Sequence, residues 1–266
     1  MLKQKVYSLY LHNIMLILCK YIMSVEYDFA IIYFGLTRSV KKTYESHFKH
    51  MFEILQKENL TYKTFMHTWK MKDGIQNLWD KTIPQKIDYE EYKLLSPDFY
   101  QLDDEDEFLE SVNMDIYFYK DVYAKKGNTP DGEWVPKMVS NHVCMLESQK
   151  RGLSMVQTAI SKGDKYKFIM FIRPDMLLHN NFPIGLILDN PEKIHIPYCG
   201  PSEGINDHCA IMQYNVAHLY GNRIDELSDF RKNNGRIVGE KYCKFIISKY
   251  NMDVNIIDFK YYITRP

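Results

Sequence analysis

The sequence predicts a single α/β domain with a mostly parallel central sheet flanked by helices. Short apolar segments of strand length, such as YDFAIIYFG at 27–35, alternate with segments whose apolar residues recur at helical spacing. The 266 residues contain no internal repeat, low-complexity tract or long linker, and their number suffices for one large domain. Alternation of strands and helices along a chain is typical of helices packed on both faces of a parallel sheet.

The elements follow one another in an order that fits this class. Strand 27–35 ends in Gly35, and apolar residues then recur at helical spacing from Val40 to Leu55, which is the first half of a βαβ unit. A long helix is predicted for 136–163, since its proline stands near the start and its glycine at the end. The remaining predictions are strands at 62–69, 164–175, 193–198, 208–214 and 254–259, and a helix at 239–250.

The region from 70 to 135 is less regular. DGIQNLWDK and DYEEYKLL resemble short helices, and KKGNTPDGEW contains the residues of a loop. The acidic run LDDEDEFLE lacks the alternating ligands and central glycine of a calcium loop, so a solvated loop or helix face is predicted.

The N-terminal segment VYSLYLHNIMLILCKYIM is apolar and aromatic, but polar residues interrupt it. Its longest apolar run, Ile14–Cys19, is far shorter than the roughly 20 residues of a spanning helix. We therefore predict a helical extension at 1–25 and a main domain at 26–266. Membrane contact through the extension is not favoured, a signal anchor is the minority interpretation, and Met23 stays open as an alternative start.

Composition restricts the partners and the compartment. Lys plus Arg and Asp plus Glu both number 34, so the basic footprint of a nucleic-acid-binding protein is missing and no nucleic-acid partner is predicted. The five cysteines are scattered without zinc-ligand spacing, which favours free thiols in a reducing compartment and a cytoplasmic location.

Polar groups follow several predicted strands at the point where a ligand of an α/β sheet binds, outside the carboxyl ends of the strands. These groups lie at Gly35–Ser39, His67–Trp69, Arg173–Asp175 and in the loop Cys199–Asp207. Their convergence on one edge predicts a binding site for a small ligand.

Two of these groups keep two interpretations each. GLTRSVKKT lacks the second glycine and the Ser/Thr of a phosphate-binding P-loop, so Arg38 at a helix start is either a phosphate ligand or a surface arginine. Trp69 is interpreted as a core residue. The role of His67, in the core or in the site, stays open. Arg173 and Asp175 are two residues apart and share a face, so they either hold a phosphate and a cation or form an ion pair with each other.

The loop before the fifth predicted strand gives further candidates. Asn206 and Asp207 either orient substrate hydroxyls or form an Asx turn. Glu240 is a possible general base, but a helix N-terminal acid is the favoured interpretation.

The motifs FGLTRS, FMHTW, FIMFIRPDMLL, GINDHCAIM, YGNRID and GEKYCKFI, in this order, resemble a group of glycosyltransferases of large DNA viruses and microbial polysaccharide gene clusters. The resemblance runs from about Tyr27 to near the C-terminus. It implies a GT-A-like, or Rossmann-like, domain of the nucleotide-diphospho-sugar transferase kind. In that architecture an Asp-x-Asp binds a divalent metal, usually manganese, which neutralises the departing diphosphate.

By resemblance, Arg173-Pro174-Asp175 occupies the Asp-x-Asp position, with Arg173 in place of the first aspartate. The implied metal is Mn²⁺ with Asp175 as its ligand, unless Arg173 itself offsets the diphosphate charge. Asp207 is the first candidate for the general base and Glu240 the second. The implied residues of the nucleotide-sugar pocket are Gly35, Leu36, Thr37, Arg38, His67, Arg173, Asp175 and Asn206.

The implied function is hexosyl or pentosyl transfer from a nucleotide-diphosphate sugar to a glycan or protein-linked hydroxyl acceptor. The missing first aspartate motivates an alternative, a catalytically silent nucleotide- or carbohydrate-binding module with the same fold.

Overall fold

The computed structural model describes residues 25–72, 86–117, 134–198, 204–234 and 237–265. The predicted N-terminal extension, the helix DGIQNLWDK and most of the loop KKGNTPDGEW lie outside these residues. No helix in the described part of the chain has the length and apolarity needed to cross a membrane. The division at residue 25 therefore stays a prediction, with the first described strand beginning at Glu26.

A seven-stranded sheet forms the centre of the described structure, with strand order β3-β2-β1-β4-β7-β6-β8. All its pairings are parallel except those of β7, which runs antiparallel to both β4 and β6. The predicted α/β class with a mostly parallel central sheet is confirmed. The strands are β1 (Glu26–Phe34), β2 (Tyr62–Lys70), β3 (Phe99–Asp104), β4 (Lys165–Ile172), β6 (Ile194–Pro197), β7 (Cys209–Gln213) and β8 (Val254–Ile257).

Helices cover both faces of the sheet because the central strands are apolar on both faces. In β1, Phe29, Ile31 and Tyr33 belong to one buried cluster, whereas Ala30, Ile32 and Phe34 belong to the other. The helices are α1 (Val40–His47), which continues through a π-helical turn (Phe48–Phe52) into α2 (Glu53–Lys57), then α3 (Glu105–Ser111), α4 (Trp134–Ser161), α5 (Ile184–Asp189), α6 (Tyr214–Gly221), α7 (Leu227–Asn234) and α8 (Gly239–Lys249).

The two layers contain different helices. Apolar residues of α1, α2 and α5 pack on the first face, and those of α4, α6 and α8 pack on the second. Gly152 brings α4 close to the sheet, because a Cβ at this position would overlap with the Ile32 side chain. The core is therefore a three-layer sandwich. The close approach of α4 to the sheet at this point requires a glycine.

The structure differs from the sequence prediction at the acidic run. Asp103 and Asp104 are the last residues of the unpredicted edge strand β3, and Asp104 also caps α3 by accepting from the backbone N–H groups of Asp106 and Glu107. Glu105 is buried, and burial raises its pKa. The predicted solvated helix face is present at Asp106, Glu107 and Glu110, which are exposed, whereas Asp103 pairs with His67 and Arg151. A two-stranded sheet of β5 (Met176–Leu178) and β9 (Tyr261–Ile263) was also not predicted.

Candidate active site

A cavity of about 320 Å³ opens at the carboxyl edge of the central sheet. Its walls include Gly35 after β1, Trp69 near the end of β2, Arg173 after β4 and His208 before β7. β7 runs antiparallel to β4, with Cys209 opposite Ile172, so the first residues of β7 lie at this edge of the sheet. The predicted convergence of strand ends therefore coincides with a cavity.

Helix residues also line the cavity, and apart from Glu240 the sequence did not indicate them. The first described turns of α4 provide Lys137, Asn141 and His142, and the start of α8 provides Gly239 and Glu240. No local motif marks the residues of α4, because their position depends on how the helix lies across the sheet. Arg265, beyond β9, also lines the cavity and also lacks a sequence signal.

Arg38, Arg173 and Asp175 form one ion-pair cluster at the end of β4. Arg173 binds the Asp175 carboxylate in a bidentate manner, with Nε to Oδ1 at 2.8 Å and Nη2 to Oδ2 at 2.7 Å. Arg38 donates to the same Oδ2 from Nε at 3.2 Å and from Nη2 at 3.1 Å. Of the two sequence interpretations, the ion pair between Arg173 and Asp175 is present, and Arg38 joins it from 137 positions away.

The local backbone holds the carboxylate in place. The Pro174 carbonyl oxygen accepts from the Thr43 hydroxyl at 2.7 Å, and the Asp175 carbonyl oxygen accepts from the Thr264 N–H at 2.8 Å. Burial alone would raise the pKa of the Asp175 carboxyl, but the charges of Arg173 and Arg38 outweigh burial and hold the pKa well below its usual range. Asp175 is therefore ionised at neutral pH.

These residues do not fit the manganese site that the resemblance implies. Both Asp175 oxygens already accept guanidinium N–H groups, and the side chain is only 2% exposed. Within the described ranges, no group of three or more His, Cys, Asp and Glu side chains is placed to hold a metal ion. Asp175 is not among the cavity-lining residues, whereas both arginines are. The predicted role of Asp175 as a metal ligand is not supported by this donor set.

Asp207 is a buried carboxylate on the cavity wall, and two histidines flank it. Its Oδ1 lies 3.5 Å from Nε2 of His208, and its Oδ2 lies 4.0 Å from Nδ1 of His142. Burial raises the pKa of the Asp207 carboxyl, but the nearby basic groups His208, His142, Arg223 and Arg173 together outweigh burial, and the pKa is lowered. Gly239 allows this position, because a Cβ there would overlap with Asp207 Oδ2.

In the described part of the chain, His142 has an unpaired ring nitrogen near this carboxylate. Burial lowers the pKa of His142 to about 4, so the ring is neutral at pH 7. Its buried Nε2 has no hydrogen-bond partner among the described residues. Glu240, the second candidate base, also lines the cavity from the first turn of α8 and is partly buried. Asp207, His142 and Glu240 thus lie together at one side of the cavity.

His67 lies behind the cavity wall. It is fully buried, its Nε2 lies 3.0 Å from Asp103 Oδ2, and its Nδ1 lies 2.8 Å from Ser148 Oγ. Burial lowers the pKa of His67 to about 4, and because a carboxylate only accepts, the neutral ring carries its hydrogen on Nε2. Ser148 Oγ in turn accepts from the Gly35 N–H at 2.8 Å. His67 therefore positions the loop after β1, and the predicted direct contact with ligand is not supported.

Asn206 and Thr37 also do not line the cavity. Asn206 Oδ1 accepts from the His208 N–H at 2.8 Å, which is the Asx turn of the alternative interpretation, and its Nδ2 donates to the Pro197 carbonyl oxygen at 3.0 Å. Thr37 is buried, and its hydroxyl has no hydrogen-bond partner among the described residues. Gly35, Leu36 and Arg38 line the cavity.

Trp69 belongs to both the core and the cavity. It is 1% exposed, packs in a cluster with Phe108, and donates from Nε1 to the Cys144 carbonyl oxygen at 2.9 Å. The interpretation of Trp69 as core is correct for most of its surface, yet the residue also lines the cavity. A ligand in the cavity therefore meets an indole that cannot move freely.

No family model matches the chain, and no curated protein matches it. Among solved structures, a glycosyltransferase involved in the glycosylation of the major capsid of PBCV-1 is similar, with TM-score 0.40 and 12% identity over 87% of this chain and 82% of that chain. Mouse xyloside xylosyltransferase 1 in its apo form is similar with TM-score 0.42 and 11% identity, over 88% of this chain and 86% of that chain. At these values the function must be argued from the site.

Proposed function

We propose that this protein is a glycosyltransferase that moves a sugar from a nucleotide-diphosphate sugar to a hydroxyl acceptor. The observation that carries the proposal is one cavity lined by two guanidinium groups and by a buried carboxylate. Arg38 and Arg173 line it from the sheet edge, and Asp207 lines it beside the start of α8. Cationic groups stabilise a departing diphosphate, and a carboxylate can take the acceptor proton in an inverting transfer.

The arginines serve the leaving group. As the bond from the sugar to the diphosphate breaks, negative charge develops on the diphosphate oxygens, and fixed cations near these oxygens stabilise the transition state. Guanidinium groups match phosphate geometry and stay charged at every physiological pH. The loop after β1, with Gly35 and Leu36, forms the neighbouring wall of the donor pocket.

Asp207 serves the acceptor. A hydroxyl that attacks the anomeric carbon with inversion must lose its proton to a general base. Asp207 is ionised because its pKa is lowered, and His142 and His208 flank the carboxylate at 4.0 and 3.5 Å. Glu240 is the second candidate, because it lines the same side of the cavity. The acceptor is a glycan or protein-linked hydroxyl, and the sugar is a hexose or a pentose.

Calorimetric titration of the full chain with UDP and GDP, each with and without manganese, tests the donor half of the proposal. Binding of at least one nucleotide is expected. If neither nucleotide binds under either condition, the glycosyltransferase proposal is refuted.

A second candidate function is a silent module that binds the nucleotide but transfers nothing. This candidate is favoured because Arg173 binds the Asp175 carboxylate, which the resemblance implies to be a metal ligand. Release of nucleotide from a sugar nucleotide, measured for the wild type and for Asp207→Asn, separates the two candidates. Release by the wild type that falls in the variant supports the enzyme, and no release despite nucleotide binding supports the module.

A further inference from the structure

We propose that this chain binds the donor diphosphate directly through the guanidinium groups of Arg38 and Arg173, with no divalent metal between protein and phosphate. This inference rests on the proposed function and specifies how the same cavity recognises its anion. It replaces the manganese bridge that the resemblance implies.

The first step concerns which groups face the cavity. Arg38 and Arg173 line it and have side chains 18% and 20% exposed, whereas Asp175 does not line it and is 2% exposed. A ligand entering the cavity therefore meets the guanidinium groups before it meets the carboxylate. Asp175 lies behind the two arginines as their common counter-ion.

The second step concerns hydrogen-bond capacity. A guanidinium has five N–H donors in a planar fork. Arg173 uses Nε and Nη2 on Asp175, and Arg38 uses the same two nitrogens, so the Nη1 groups and the second Nη2 hydrogens are not used by the carboxylate. These remaining donors suit bidentate recognition of phosphate oxygens, and Asp175 fixes the planes in which they lie.

The third step concerns charge. Arg38, Arg173 and Arg265 line the cavity, and the carboxylates whose charges act on Arg173 are those of Asp175 and Asp207, so three cations face two anions. This edge of the cavity therefore has an excess of positive charge, which favours a polyanion such as a diphosphate. Since arginine does not lose its proton in proteins, this excess persists across the physiological pH range.

The fourth step concerns the competing metal. A divalent cation on Asp175 would have to compete for a carboxylate whose Oδ2 already accepts three N–H groups and whose Oδ1 accepts a fourth. It would then stand beside two guanidinium groups that had lost their counter-ion, in a partly buried place where like charges repel strongly. The cluster is built to bind an anion, because its exposed face is cationic.

The experiment is calorimetric titration of the full chain with UDP and with GDP, in EDTA and separately in manganese. We expect the nucleotide that binds to do so in EDTA, with a Kd within about threefold of the value in manganese, a difference of under about 1 kcal/mol. Arg38→Gln and Arg173→Gln should each weaken binding in EDTA by at least about tenfold, because each removes a charge-assisted contact.

The matched control is Lys63→Gln. Lys63 pairs with Asp164 at 2.7 Å with side chains 22% and 15% exposed, at the amino end of β2 and away from the cavity. The Lys63→Gln variant loses the same charge and a similar ion pair. Because Lys63 lies away from the cavity, the nucleotide affinity of this variant should not change. Arg38→Lys and Arg173→Lys keep the charge beside Asp175 and serve if a glutamine variant fails to fold. They should still bind more weakly than the wild type, because an ammonium cannot donate in a fork.

The outcomes separate the two proposals. Binding in manganese but not in EDTA overturns the arginine inference and leaves the glycosyltransferase proposal in place. Binding in EDTA that neither arginine substitution weakens also overturns the inference. Absence of binding under both conditions overturns both.

Discussion

Asp175→Asn tests whether one carboxylate holds both arginines in position. Asparagine has nearly the same size, but it has no charge and only one accepting oxygen, so Arg38 and Arg173 lose their counter-ion. Removal of one partner from a buried ion pair costs about 3–5 kcal/mol of unfolding free energy, because the remaining charge is uncompensated. The two guanidinium groups are 18% and 20% exposed, so water screens part of that charge. We therefore expect a loss near the lower end, about 3 kcal/mol.

The assay is urea unfolding at neutral pH, with Asp164→Asn as the matched control. Asp164 pairs with Lys63 at 2.7 Å but accepts from a single cation, and its side chain is 15% exposed. The control should lose about 1 kcal/mol or less, as is usual for a pair near the surface. A loss in Asp175→Asn no larger than that of the control would refute the view that Asp175 organises the cluster.

The pH dependence of this difference gives a second readout. The folded-state pKa of Asp175 lies below its value in the unfolded chain, so its contribution to stability is complete above the unfolded value, about 3.9. It is lost as the pH falls further, because the unfolded chain then binds the proton more readily. The stability difference between wild type and Asp175→Asn should therefore shrink below about pH 4. A difference that stays constant down to about pH 2 would contradict the ion-pair explanation.

Three further predictions concern the cavity and the core. Asp207→Asn should lower sugar transfer by at least about a hundredfold with little change in nucleotide affinity, measured by product formation and calorimetry, whereas Glu240→Gln should keep most of the activity. Gly239→Ala should lower transfer because its Cβ displaces the Asp207 carboxylate, whereas the control Gly185→Ala, with nothing within 4 Å of its Cβ, should not. Equal transfer rates in the two glycine variants would contradict that explanation. Burial lowers the pKa of His47 to about 4. Between about pH 7.5 and pH 5 the unfolding free energy of the wild type should therefore fall by about 2 kcal/mol more than that of His47→Gln, measured by urea unfolding.

The sign of the His47 effect follows from its hydrogen bonds. The Met176 carbonyl oxygen, 2.8 Å from Nε2, only accepts, so Nε2 carries the hydrogen and Nδ1 accepts from the Tyr33 hydroxyl at 3.1 Å. This arrangement suits the neutral ring. The folded state therefore binds fewer protons than the unfolded chain between about pH 6.5 and pH 4, and stability falls as the pH falls through that range.

The central strands could be predicted because burial on both faces leaves a strong local signal. YDFAIIYFG contains six consecutive residues that are fully buried, and such a run has few alternatives to a central strand. β3 gave no such signal, since as an edge strand it carries the half-exposed sequence FYQLDD. Its last residues are acidic because Asp103 pairs with Arg151 and His67, and neither partner is near it in sequence.

Part of the candidate site could be predicted for a similar reason. The rule that ligands bind at the carboxyl ends of strands selected Gly35, Arg38 and Arg173, and all three line the cavity. The same rule also selected His67 and Asn206, which instead support neighbouring backbone. A position at the end of a strand does not say whether a side chain faces the cavity or the core.

The Arg-Pro-Asp tripeptide illustrates this limit most clearly. An ion pair between Arg173 and Asp175 and a metal site at Asp175 are equally compatible with those three residues, because both place the two side chains on one face. Arg38 favours the ion pair, since its guanidinium donates two further N–H groups to Asp175 Oδ2. Arg38 reaches Asp175 because β1 and β4 are neighbours in the sheet, and no spacing along the chain encodes that contact. The chemistry of this strand end therefore depends on the order of the strands.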